Sequence, residues 1–190
     1  MTRRPILLAT AAIVVVIAVA ALLVYNAGSS HGSVQTASQA PIVGKAALNQ
    51  TAPPFEVSTT AGLFDLRKTQ KPVFLEVFAT WCPHCQRMTS VVDRLYAAYH
   101  KRVDFVAVSG SDTAMDGTSS SSQRDVLDWV KRFDVKYPVG YDPILNVANL
   151  YLQGGFPTFA VIGSDKKIRY LADGEISYND LQNGLKKVLR

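Results

Sequence analysis

Two cysteines, Cys82 and Cys85, are the only ones in the chain, and they stand two residues apart in the run Ala79-Thr80-Trp81-Cys82-Pro83-His84-Cys85. That spacing suits thiol-disulfide exchange, in which one thiolate attacks a disulfide sulfur and a second thiol then resolves the mixed disulfide. Proline is favoured in the first turn of a helix, so Pro83 predicts a helix that begins at the pair. A helix N-terminus offers unpaired N–H groups and the positive end of the helix dipole, and both favour a thiolate at Cys82. Cys85, one turn further on, lies within reach of the Cys82 sulfur. Cys82 is the candidate nucleophile and Cys85 the candidate resolving thiol. The redox-active disulfide between them would serve in place of any other cofactor.

The two residues between the cysteines bear on the direction of electron flow. A low pKa at the nucleophile stabilises the dithiol and makes the disulfide a stronger oxidant. His84 acts this way if it hydrogen-bonds or bears charge near Cys82, and has a modest effect if it faces solvent. Pro83 and His84 are therefore the candidate tuning residues. The same spacing is also half of a zinc site, but zinc needs four ligands and the remaining candidates are His31, His84 and His100. His31 lies far upstream and His84 projects off the helix between the cysteines, so no metal is expected. An inert structural disulfide would gain little stability from closing so small a loop.

Such a pair needs a buried strand leading into the helix. Residues 73–78 (VFLEVF) are nearly all apolar and predict a strand covered on both faces. Its one charge, Glu76, stands six residues before Cys82. A carboxyl buried there has a raised pKa and can exchange a proton with Cys85 near neutral pH; the alternative is an exposed residue on a half-wet strand. After Cys82 the apolar residues Met88, Val91, Val92, Leu95, Tyr96 and Tyr99 recur at helical spacing.

Further along, residues 103–108 predict a second strand and 109–121 a solvated Ser/Gly/Asp-rich loop. Ser122 and Asp125 form a capping-box-like start for a helix with Val126, Trp129, Val130 and Phe133 on one face, in a right-handed crossover. A strand at 137–139, a helical turn at 144–152, a strand at 158–162, a turn at 163–165, a strand at 167–172 and a helix at 178–189 complete the chain. Ahead of all this, residues 55–57 and 63–66 flank the turn signal Thr60-Ala61-Gly62 and predict a β-hairpin. The expected fold class is α/β, a mixed central sheet flanked by helices.

With 190 residues, 48% of them hydrophobic, the chain has room for one domain and an extra segment. Residues 5–25 carry no charge and are long enough to cross a bilayer as a helix. Arg3 and Arg4 precede this run and no Lys or Arg follows until Lys45, which puts the N-terminus in the cytoplasm and the rest outside. A signal peptide cleaved after Ala27-Gly28-Ser29, or a weak twin-arginine signal at Arg3-Arg4, is the alternative; the length of the run favours an uncleaved anchor. Residues 26–52, rich in Ser, Gly, Ala and Gln, predict a flexible tether reaching roughly 25–30 Å. The expected organisation is an anchor at 1–25, a tether at 26–52 and a catalytic domain at 53–190. The net charge of +5 includes no basic cluster with interleaved aromatics, so nucleic acid is not indicated as a partner.

The Trp81-Cys82-x-x-Cys85 run at a strand-to-helix junction, followed by Gly155-Phe156-Pro157-Thr158, resembles the thioredoxin superfamily over residues 51–190. With the anchor, the tether, the leading hairpin and the helical segment before Gly155, it is most similar to the TlpA/ResA-like membrane-anchored thiol-disulfide oxidoreductases of the redoxin type. The resemblance implies a thioredoxin-like fold with a central helical insertion. It also implies a cis proline at Pro157 facing the cysteines, a substrate-pairing backbone at Phe156, substrate contact at Trp81, and proton exchange between Glu76 and Cys85.

Members of that family reduce disulfides outside the cytoplasm, including those of apocytochrome c, with electrons from a membrane thiol carrier. The resemblance therefore implies a reductase on the outer face of a bacterial cell membrane, with protein thiols or disulfides as substrates and a membrane electron-transfer partner. Pro83-His84, however, resembles the pair found in DsbA-type oxidases, which keeps a thiol oxidase or isomerase open. Peroxiredoxin chemistry lacks its P-x-x-x-T-x-x-C motif, and a Sco-type copper module lacks its distal histidine, since His100 is the last. A redox-inert or metal-binding anchored module is the remaining alternative.

Overall fold

The computed structural model describes residues 45–189. The expected anchor at 5–25, the tether up to residue 44, and His31 lie outside the described residues. Among the described residues no helix is long and apolar enough to cross a membrane.

The central feature is the apolar run read from the sequence, β3 (Val73–Phe78), in which every residue is buried. It is flanked by β4 (Asp104–Ser109) in parallel and β6 (Thr158–Ile162) in antiparallel pairing. The hairpin forms as β1 (Glu56–Thr59) and β2 (Gly62–Asp65), in register from Glu56↔Asp65 to Thr59↔Gly62. Gly62 closes its turn at φ +109°, a conformation that side chains disfavour. With β5 (Val139–Tyr141) and β7 (Ile168–Asp173) the sheet has seven strands in the order β2-β1-β5-β4-β3-β6-β7.

Side chains alternate across a strand, so β3 feeds two cores. Phe74 and Phe78 join Met88, Val92 and Leu95 of α1 (Pro83–Tyr99), Val126 and Trp129 of α2 (Gln123–Arg132), and Leu181 and Leu185 of α4 (Tyr178–Lys186). Val73, Leu75 and Val77 pack on the other face with Phe55, Ile162, and Val147 and Tyr151 of α3 (Asn146–Tyr151). Glu76 shares the parity of Phe74 and Phe78. It therefore points into the core beneath α1.

Three expectations shift. The strand placed at 137–139 begins at Val139, because Pro138 has no N–H to donate to a ladder. Pro138 instead accepts from the Ala107 amide (2.9 Å), and Tyr137 enters the core. The loop at 109–121 is not simply solvated: Ser111 and Ala114 are buried, and a bridge between Thr113 and Ser120 closes it. The stretch assigned to the end of the tether is part of the folded body. Ala46 and Ala52 are buried, the Ala46 amide donates to the Leu150 carbonyl (2.7 Å), and Asn49, Gln50 and Ala52 exchange backbone hydrogen bonds with Lys166 and Ile168. The boundary drawn between 52 and 53 thus falls inside the fold.

Candidate active site

Cys82 is the N-cap of α1, in extended conformation with Pro83 following, so the helix begins at the pair. The Cys82 amide donates back to the Ala79 carbonyl (3.1 Å), and the Gln86 amide donates to the Cys82 carbonyl (3.1 Å). Both cysteines are unbridged and buried. The Cys82 thiol donates to the Phe156 carbonyl (3.6 Å). The Phe156–Pro157 peptide is cis. The Pro157 carbonyl is held by the Gly174 amide (2.8 Å), which fixes this loop against the end of β7.

Cys85 lies one turn deeper and is fully sealed. Burial pushes its thiol well above the ordinary range, and the nearby Glu76 charge pushes it the same way. Glu76 is itself 1% exposed, and burial raises its carboxyl to about 8. The Tyr137 hydroxyl pulls in the opposite direction without reaching hydrogen-bond geometry to either carboxyl oxygen. Asp93 adds a smaller upward push. A carboxyl of this pKa, beneath a thiol that resists ionisation, is suited to take up or return one proton near neutral pH.

Trp81 stands half-exposed in front of the pair. Its indole N–H donates to Ser111 Oγ (2.9 Å), and its ring meets Phe156 edge-on at 6.1 Å. A groove lined by Gly110, Ser111, Leu145, Ala148, Leu152 and Phe156 runs beside this rim. Thr80 donates to Asp125 Oδ2 (2.7 Å), and the other Asp125 oxygen accepts from the Met115 amide (2.9 Å). The segment before Cys82 is thereby tied to α2 and to the loop at 110–121.

His84 does not turn toward Cys82. Its Nδ1 lies 2.5 Å from Glu175 Oε1, and Arg87 Nε donates to the same oxygen (2.9 Å). The hydrogen bond to Arg87, and after it that to His84, holds the Glu175 carboxyl down at about 2.

The structure thus gathers Cys82, Cys85, Glu76, Trp81, Phe156 and Pro157 at one place, and leaves His84 outward on Glu175. Sequence reasoning missed Tyr137, Ser111, Asp125, Arg87 and Glu175 as neighbours of the site. Arg87, three residues after His84 on the same helix, had a local signal. Glu175 had none, being 91 positions away. Among the described residues no group of three or more His, Cys, Asp or Glu side chains is placed to hold a metal ion.

The model of the Redoxin family matches residues 47–189. A thiol-disulfide oxidoreductase ResA from Bacillus cereus is 30% identical over 149 residues, 76% of this chain and 80% of the relative. Among solved structures, a thiol:disulfide interchange protein assigned as DsbE from Chlorobium tepidum superposes with TM-score 0.66 at 22% identity, covering 77% of this chain and all of that one. A secreted Mycobacterium tuberculosis disulfide oxidoreductase homologous to E. coli DsbE does so with TM-score 0.57 at 18% identity, over 70% of this chain and 95% of its own. These two share the fold, which is the thioredoxin-like arrangement of a mixed sheet between helices.

Proposed function

We propose, for a chain that belongs to the Redoxin family and is a thiol-disulfide oxidoreductase, that it is a specific disulfide reductase acting on protein substrates outside the cytoplasm. The observation that carries this reading is the asymmetry of the pair. Cys82 sits at the helix N-terminus against the Phe156 carbonyl, while Cys85 is sealed above a buried carboxyl.

In the substrate half-reaction the Cys82 thiolate attacks one sulfur of a substrate disulfide. A Cys82–substrate disulfide forms, the substrate S–S bond breaks, and the other substrate sulfur leaves as a thiolate. Cys85 passes its proton to the Glu76 carboxylate and attacks the Cys82 sulfur. The second substrate sulfur is released, and the Cys82–Cys85 disulfide remains. The substrate gains two electrons and the enzyme loses two. A thiol donor at the membrane then reduces the enzyme disulfide, and protonated Glu76 returns its proton to the departing Cys85. Trp81, Phe156 and Pro157 form the rim on which an extended substrate segment is laid.

The charge-free run at 5–25 behind Arg3 and Arg4 supports an anchor with its N-terminus in the cytoplasm and the cysteines outside. There the enzyme would draw electrons from a membrane thiol carrier and serve client proteins such as apocytochrome c.

Trapping in cells tests the reading. Cys85→Ser should accumulate mixed disulfides through Cys82, and Cys82→Ser should accumulate none. The captured proteins should build up in oxidised form when the enzyme is deleted. If they build up reduced instead, the enzyme is an oxidase; if Cys82→Ser is the variant that captures them, the assigned roles are wrong.

A further inference from the structure

Pro83-His84 resembles the pair found in thiol oxidases, whereas the function proposed above is that of a reductase. The charges around His84 bear on this conflict. Helix α1 carries His84 and Arg87 just after Cys82, and has no acidic residue in its first turn. Nothing within the helix offsets its positive end.

A carboxylate arrives from elsewhere. Glu175, on the connection between β7 and α4, places one oxygen 2.5 Å from His84 Nδ1 and 2.9 Å from Arg87 Nε, with Arg87 Nη2 also in contact. The same Nη2 lies 2.9 Å from His84 Nδ1. With its proton assigned to Nδ1 by this network, His84 donates to Glu175, and Arg87 donates to the same oxygen. Both side chains are thus engaged by one anion, and Arg87 lies within the field of Cys82.

We propose that Glu175 is a positioning residue that keeps His84 and Arg87 paired with a carboxylate beside Cys82, offsetting the Arg87 charge there, and so keeps the Cys82–Cys85 couple from being strongly oxidising. This rests on, and deepens, the reading of the protein as a reductase. The couple takes up two electrons and two protons as its S–S bond breaks to two thiols. Any cation free to approach the Cys82 thiolate favours that reduced side. Removing Glu175 leaves the Arg87 charge unpaired, frees the His84 ring and deletes a negative charge.

The test is the equilibrium of the full chain with glutathione redox buffers, read by alkylation and mass, for the wild type and Glu175→Gln. The variant should shift roughly three- to tenfold toward the dithiol, about 15 to 30 mV less negative. Glu175→Lys should shift further in the same direction. Both shifts should shrink in 1 M salt, where the Debye length falls to about 3 Å. In a background carrying His84→Gln and Arg87→Gln the effect of Glu175→Gln should fall by at least half. An unchanged potential in Glu175→Gln, a salt-independent shift, or a shift that keeps more than half its size without His84 and Arg87 overturns the proposal. The wild-type potential alone bears on the reductase reading, and the difference between variant and wild type alone bears on Glu175, so the two can fail separately.

Discussion

Replacing Glu76 by Gln separates a functional buried acid from a structural one, because stability and turnover should move in opposite directions. The carboxyl has an ordinary value of 4.5 when the chain is unfolded and about 8 when it is folded. Between those values the folded form holds more protons than the unfolded form, so stability is greatest below the lower value and falls as pH rises through the upper one. At about 1.4 kcal/mol per pH unit, the loss is on the order of 3 kcal/mol by pH 7. Gln cannot ionise, and its amide keeps a polar burial of about 1 kcal/mol. Glu76→Gln should therefore be about 2 kcal/mol more stable than wild type at pH 7 and lose the fall in stability between acid and neutral pH. Guanidinium unfolding of the phosphine-reduced protein across pH 4 to about 9 measures this. Stopped-flow release of a mixed disulfide should be slowed on the order of tenfold to a hundredfold in the variant, since proton uptake from Cys85 is lost. A variant that is destabilised at pH 7, or that resolves mixed disulfides at the wild-type rate, refutes the assignment of Glu76 as the proton acceptor.

Other changes test the surroundings. Tyr137→Phe removes the group that opposes the rise of the Glu76 carboxyl, so the pH profile of mixed-disulfide resolution should move to higher pH. Asp125→Ala breaks the bonds to Thr80 and the Met115 amide; unfolding should report a loss of about 2 kcal/mol, with weaker substrate reduction as the Trp81 segment loosens. Gly110→Ala would bring a Cβ within 2.6 Å of Val77 Cγ1, 2.9 Å of Ala148 Cβ and 3.3 Å of Phe156. Overpacking there should lower stability by about 1–3 kcal/mol and raise the KM for protein substrates by displacing Phe156.

The parts of the fold that were legible in the sequence are those where one residue type forces one outcome. The apolar run at 73–78 reads as a buried strand, and period-two alternation then places Glu76 beside Phe74 and Phe78 under α1. Pro83 marks the first helical turn, and the Ser122 hydroxyl caps α2 through the Asp125 amide as its spacing predicts. Less legible was anything held by backbone pairing without a hydrophobic pattern. Residues 46–52 read as a tether because Ala, Asn and Gln carry no periodicity, yet their amides and carbonyls close onto Lys166, Ile168 and Leu150. The loop at 109–121 is fixed by Ser111, Asp116 and Asp125, small polar groups whose partners cannot be read from spacing. At the site, the cysteines and the acid were visible in residue type and spacing, whereas the cis proline came only from the family resemblance. The surroundings of His84 were not, since the carboxylate that engages it comes from the far end of the chain.

The central claim is that this Cys82–Cys85 couple donates electrons to substrate disulfides, and its midpoint potential tests that most directly. Equilibration of the wild-type chain with dithiothreitol and glutathione couples at pH 7 should place it below about −200 mV, toward the thioredoxin value of about −270 mV. A midpoint near the value of about −120 mV that marks a strong oxidant would contradict the account.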